Sequence, residues 1–433
     1  MSSARFGLRL TCVALMACAT NAWAGAPQPF SPTILLDVDD LRQLLRDQGI
    51  DFRFGYVSET ATNLQGGAHE LGRYTDQLTF FTQLDLQKLF GIRNAQFAVV
   101  ITDRNGHNLS ADAKLDSLQQ VQELYGRGQT WRWTEFYYDQ KYLNGKLDWK
   151  IGRLPVGDDF ASFSCEFVNL TFCGSAPGNL VGSYWYNWPV SQWATRIKTQ
   201  VKGFGYVEIG AYEVNPSYLL TRNALDLGSP RGATGVLVPF EIAWQPTVGG
   251  LPGSYKIGGW YNSETAPDVV DNTAEEPLAL AGGEPLKRHG QYGGYLNFEQ
   301  QVTVPGGPNS SRGLSLFLNA AYADRRTSML DSQIAAGLLY KGPLDRRPAD
   351  ELGLAVGETH VNSRVADVER LENAAGRGPV AAQTSEWVGE MFYNVHVRGW
   401  LDVRPSIQYV AQPGGVARNK SDVIAGVRLA VNI

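Results

Sequence analysis

The chain has 433 residues with 38 Lys plus Arg against 43 Asp plus Glu, a formal charge of −5 that argues against a basic nucleic-acid face. Hydrophobic residues make up 43% and charged residues only 19%, so the chain is not a disordered polyelectrolyte. Its 47 glycines beside 11 Trp, 19 Tyr and 18 Phe suit a large β protein with many tight turns.

Arg5 and Arg9 precede the apolar stretch Leu10 to Ala19, and Ala22-Trp23-Ala24 before Gly25 has the small-x-small pattern of a cleavage site. Residues 1–24 therefore read as a signal peptide, and the chain as exported. Cys12 and Cys18 leave with it, so only Cys165 and Cys173 remain, expected to form one local disulfide in an oxidising compartment. Free thiols or a metal site are the other options for that pair, but no histidine lies nearby. After residue 24 no stretch approaches the roughly 18–20 apolar residues that a membrane helix needs. Residues 25–50 form an N-terminal segment in which 37–49 spell a short amphipathic helix, acidic at its start and stopped by Gly49, the one clear helical signal in the chain.

From residue 51 to 433 the pattern turns to period two. Leu78, Phe80, Thr82, Leu84 and Leu86 alternate with mostly polar partners. Near the C-terminus Trp387, Met391, Tyr393, Val395 and Val397 oppose Glu386, Glu390, Asn394, His396 and Arg398, and Val423 to Ile433 repeats the contrast around Arg428. About sixteen such stretches begin near residues 52, 74, 95, 130, 146, 192, 205, 235, 254, 291, 311, 333, 350, 384, 398 and 421. Their connections alternate between short turns, such as Leu143-Asn144-Gly145 and Arg398-Gly399-Trp400, and long loops at 105–129, 154–191, 214–234, 263–290 and 358–384. Strands of about ten residues cross a bilayer when tilted, and an even number with short turns at one rim and long loops at the other is the pattern of an outer-membrane barrel. In hydrocarbon an unpaired backbone N–H or C=O costs several kcal/mol, so such a sheet must close. Tyr74, Trp149, Trp193, Tyr322, Trp387, Trp400 and Tyr409 sit at strand ends on the apolar face, as an interfacial girdle requires. A soluble sandwich also alternates, but with shorter strands.

Motifs of catalysis are missing. The five histidines are scattered without metal-ligand spacing, and there is no phosphate-binding glycine loop or nucleophile elbow. Neither metal nor cofactor is expected. The segment 154–191, aromatic and carrying both cysteines, reads as a loop folded into the barrel mouth, its disulfide stiffening a constriction; an external loop packed on itself is the alternative. Inward positions facing it carry charge at Arg104, Glu135, Asp139, Lys150, Arg196, Lys198 and Glu208. Mixed donors and acceptors beside a flat indole suit a sugar, whose hydroxyls need hydrogen bonds and whose apolar face stacks on an aromatic ring. Any one of these charges could equally serve only to keep a pore wet.

Several runs carry a family resemblance: Leu45 to Gly67, Leu84 to Leu89 and on to Ser110, Asn144 to Phe160, Trp188-Pro189-Val190-Ser191-Gln192-Trp193, Pro252 to Gly259, Arg312 to Phe317, and Ile407 to Val410 with Pro413-Gly414-Gly415. Across most of the mature chain the sequence resembles the carbohydrate-selective porin (OprB) family. The resemblance implies a 16-stranded antiparallel transmembrane β-barrel that admits glucose and related sugars or polyols by facilitated diffusion through a loop-narrowed eyelet of arginines, acids and a tryptophan. Carried onto this chain, Asp158, Asp159, Trp185 and Arg196 are the first positions for that eyelet. Arg104, Glu135, Lys150, Trp188 and Lys198 stand behind them. Two departures are Asn319, where an arginine is more usual, and the non-aromatic last residue Ile433. The expected partners are sugar solutes and outer-membrane lipid, with monomer or homotrimer left open. Rival readings are a general diffusion pore and a secreted all-β glycoside hydrolase.

Overall fold

A computed structural model describes residues 36–228, 231–305, 312–378 and 381–432. The signal peptide expected at residues 1–24 and the last residue, Ile433, lie outside the described residues. Among the described residues seventeen strands are hydrogen-bonded into one sheet, of which Thr247–Val248 is a two-residue ribbon at a turn. The other sixteen form the wall: β1 (Ile50–Gln65), β2 (Gly72–Asp85), β3 (Ala95–Gly106), β4 (Trp131–Tyr142), β5 (Leu147–Leu154), β6 (Gln192–Val201), β7 (Gly205–Val214), β8 (Gly235–Trp244), β9 (Leu251–Asn272), β10 (Pro285–Gln301), β11 (Gly313–Ala323), β12 (Leu330–Lys341), β13 (Glu351–Val361), β14 (Ser385–Arg398), β15 (Leu401–Ala411) and β16 (Asp422–Asn432). Each pairs antiparallel with its sequence neighbours, and the ring closes because β1 pairs with both β2 and β16, Tyr56 lying opposite Leu78 on one side and Val431 on the other. No open edge remains, which is the condition for a sheet in hydrocarbon.

The alternation sorts side chains as expected. Phe80, Ile197, Ile209, Phe240, Leu354 and Ile407 point outward around the whole circumference, and Ile257 and Val356 are each 59% exposed. A continuous apolar belt of this extent is stable against lipid tails and not against water. Tyr74, Tyr322, Trp387 and Tyr409 are exposed where the strands meet the loops, and Trp149 and Trp400 lie toward the short turns, so both rims carry aromatic side chains. Inside, Thr79, Thr102, Asn297, Asn319 and Gln333 are buried polar groups.

Three expectations need correction. The helix read at 37–49 spans Leu36–Asp47, but it is not the one long helix: Ser363–Ala374, in the loop before β14, is another, capped by the Asn362 side chain on Arg364 N. Its polar run lacks the apolar stripe that marks a helix in sequence. The stretch 263–290 is mostly strand: β9 and β10 extend above the girdle as a ribbon that turns only at 273–284. The loop rim also has two connections of six residues, 66–71 and 324–329, so the alternation of long and short is not uniform.

Candidate functional site

The loop between β5 and β6 crosses the lumen. Phe160, Phe167, Phe172 and Trp185 are buried, and wall carboxylates hold its backbone: Glu241 accepts from Ala161 N at 2.8 Å, while Glu390 accepts from Val168 N at 2.9 Å and Asn169 N at 2.8 Å. Lys256 Nζ donates to Ser162 O at 2.8 Å, and Asn169 Nδ2 donates to Gln408 Oε1 at 2.9 Å. Arg404 pairs with Glu166 at 2.8 Å; burial alone would raise the Glu166 carboxyl, but the Arg404 guanidinium outweighs it and holds that group below the usual range. The Cys165–Cys173 disulfide is present, midway along this loop.

A second loop, 107–130, also folds inward, burying Leu109, Val121 and Leu124. Glu386 accepts from Leu118 N at 2.7 Å and Gln119 N at 3.3 Å, Gln408 Nε2 donates to Val121 O at 2.9 Å, and the two loops bond to each other through Glu123 N to Val168 O at 2.9 Å and Leu170 N to Gln120 O at 2.9 Å. Sequence reasoning missed this one because it lacks the aromatic density of 154–191; the signal available was its row of aliphatic residues in a segment otherwise read as a surface loop.

Between the two loops lies a cavity of about 380 Å³ whose lining includes Trp188, Gln77, Arg104, Glu123, Arg428 and the disulfide. Its arginines are already engaged. Arg104 Nη1 donates to the carbonyls of Glu123 and Gly126, both at 3.2 Å; Arg127 Nη1 donates to Gly182 O at 2.7 Å; Arg428 Nη1 lies 3.3 Å from Glu123 Oε1 and 3.5 Å from Glu59 Oε1. The side-chain amide oxygens of the cavity-lining residues Gln120, Asn179 and Asn187 are buried and have no hydrogen-bond partner among the described residues. Buried acceptors in that state call for a donor such as an ordered water. Glu123 also approaches both sulfurs, but a closed disulfide offers no thiolate to a metal.

Apart from Arg104 on β3, the charges expected on the inner wall form a separate cluster on β4 to β7. Lys150 Nζ lies 2.9 Å and Arg196 Nη2 3.2 Å from Asp159 Oδ1, Arg196 Nη1 reaches Asp148 at 2.9 Å, and Lys198 pairs with Glu208 at 3.2 Å. The loop turn Val156–Asp159 brings in two neighbouring acids with opposite fates. Burial would raise the Asp159 carboxyl, yet Lys150 and Arg196 hold it well below the usual carboxylate range. Burial, with the Glu135 and Asp159 charges beside it, pushes Asp158 well above that range.

Of the expected eyelet residues, the structure brings Arg104 and Trp188 to the cavity, and Glu135, Lys150, Asp158, Asp159, Arg196 and Lys198 to the wall cluster. Trp185 belongs to neither. It is 0% exposed in the apolar core, its ring 5.3 Å from Trp260 and 6.0 Å from Tyr295, so it supports the loop and offers no face to a solute. Gln77, Glu123, Arg127 and Arg428 were not singled out as site residues; the first is an inward polar position in an apolar-alternating strand, indistinguishable in sequence from its neighbours Thr75 and Thr79.

Comparison with known proteins agrees with this architecture. A family model described as carbohydrate-selective porin, OprB family, matches residues 69–433. Porin B of Pseudomonas aeruginosa is 42% identical over 434 residues, covering 96% of this chain and 95% of that protein. A putative porin, QuiX, of Acinetobacter baylyi is 34% identical over 415 residues, covering 90% and 91%. The high-pH structure of Pseudomonas putida OprB superposes with a TM-score of 0.88 at 42% identity, covering 92% of this chain and 97% of that one.

Proposed function

The chain belongs to the carbohydrate-selective porin, OprB family, and from that premise we propose that the cavity between its two infolded loops is the constriction through which single-ring sugars cross the outer membrane by facilitated diffusion. The observation that carries this reading is the meeting, in one cavity of about 380 Å³, of the Trp188 indole with the amide side chains of Gln119, Gln120, Asn179 and Asn187. A pyranose presents an apolar face to stack on the ring and hydroxyl donors for the amides. The engaged arginines position the loops more than they present free charge. The wall cluster of Lys150, Asp159 and Arg196 fixes the start of the constriction loop and keeps the adjoining lumen polar. No step of bond making is involved: the channel acts by size and by weak, reversible hydrogen bonding.

Liposome swelling tests this. Vesicles carrying the refolded protein should swell faster in monosaccharides such as glucose than in disaccharides, and glucose should partly block ion current in planar bilayers. Ion conductance with swelling set by solute size alone and no sugar block would leave a general diffusion pore instead.

A further inference from the structure

Gln77 lies on β2, faces the lumen and is 4% exposed. Its side-chain oxygen accepts from two donors, Arg104 Nε at 2.7 Å and Trp188 Nε1 at 3.2 Å, while its amide nitrogen donates to Thr79 Oγ1 at 3.0 Å. Through Arg104 the same amide is linked to the 107–130 loop at Glu123 and Gly126, and through Trp188 to the end of the 154–191 loop. One buried side chain thus ties the wall to both loops where they meet the cavity. The indole has a single N–H, and Gln77 is its acceptor. Without that bond nothing polar fixes the ring's rotation about its side-chain torsions, and a half-buried indole at the edge of a cavity samples more than one rotamer.

We propose that Gln77 is a positioning residue that sets the orientation of the Trp188 ring toward the sugar, resting on the reading that this ring is the stacking platform. Gln77 touches no solute itself; it acts on affinity through the indole. Its fixed Thr79 contact explains why glutamine serves better than a freely rotating acceptor: the amide nitrogen is held, so the oxygen is aimed.

Glucose block of single-channel current gives the test, with unheated gel migration confirming a folded barrel. Gln77→Leu should weaken block about three- to tenfold, the scale of one net hydrogen bond, with open-channel conductance within about twofold. Gln77→Glu, which keeps the acceptor, should retain block. Trp188→Phe, which keeps a ring but has no N–H and leaves the Arg104 contact alone, should match Gln77→Leu, and the double variant Gln77→Leu with Trp188→Phe should be little worse than either. Independent, multiplying effects of the two single changes, or unaltered block in Gln77→Leu, would overturn the role of Gln77. Full block in Trp188→Ala would instead remove Trp188 as the platform and take the underlying reading with it.

Discussion

Asp158 and Asp159 are adjacent in sequence and lie on one short helical turn, yet their surroundings drive them apart. Asp159 meets two cations, Lys150 and Arg196, whereas Asp158 meets Glu135. The linkage signs differ accordingly. A carboxyl held below its ordinary range stabilises the fold above the unfolded value near 3.9 and gives this up only as pH falls toward the depressed native value. One pushed upward favours the fold at low pH, and that contribution is lost as pH rises through the raised value. Asp159→Asn should therefore destabilise the barrel by about 3 kcal/mol at neutral pH, since it strands the Lys150 ammonium and takes from Arg196 one of its carboxylate partners. Asp158→Asn should stabilise it, most of all at alkaline pH, where the wild-type group must ionise beside Glu135. The temperature at which the folded, fast-migrating gel form disappears, measured across pH, reads both signs. Equal losses for the two variants would contradict the assigned partners. Nothing in the dipeptide itself distinguishes these acids: the family resemblance pointed both toward the eyelet, but partners 9 and 37 residues from Asp159 decide its charge.

At the scale of the element, the constriction depends on how a loop of polar backbone stays inside a barrel. Unsatisfied N–H groups would make such a loop costly, and the solution is a set of wall carboxylates that accept them: Glu241, Glu386 and Glu390. The disulfide spans only eight positions and constrains the unfolded chain by about 2–3 kcal/mol, without linking the loop to the wall. Glu390→Gln replaces two acceptor oxygens with one and sets an amide N–H against a backbone donor. It should raise single-channel conductance and weaken sugar block, whereas Cys165→Ala with Cys173→Ala should lower the unfolding temperature and shift conductance less. A larger conductance change in the cysteine variant would make the staple the principal restraint. These anchors were half legible in sequence. Glu386 and Glu390 were visible as the polar face of a strand, but period-two alternation shows only that a side chain points inward. Which loop backbone it meets depends on residues more than two hundred positions away, as with Val168 and Glu390.

For the whole molecule, the sixteen strands were readable because each repeats one physical requirement, an apolar face to lipid and a polar face to water. Strand starts fall within a few residues of the alternation, the largest displacement being β10, which begins at Pro285 where the charged ribbon above the girdle hides its period. Closure follows from the same requirement, and it makes a prediction with a sign that depends on the solvent. Val427 sits at the middle of β16, exposed on the outer face between Thr60 and Pro405 of the neighbouring strands. On a soluble protein, Val→Arg at an exposed strand position changes stability by roughly 0.5 kcal/mol or less. Facing the middle of a bilayer it costs about 2–4 kcal/mol, because the guanidinium must be carried into hydrocarbon. Val427→Arg should therefore shift the folding equilibrium in lipid vesicles toward the unfolded chain by that amount, while the inward-facing exchange Arg428→Lys should leave folding nearly unchanged and alter conductance instead. An arginine tolerated at 427 in vesicles would mean that the outer belt meets water or protein there, and the lipid-facing register of the closing strand would have to be redrawn.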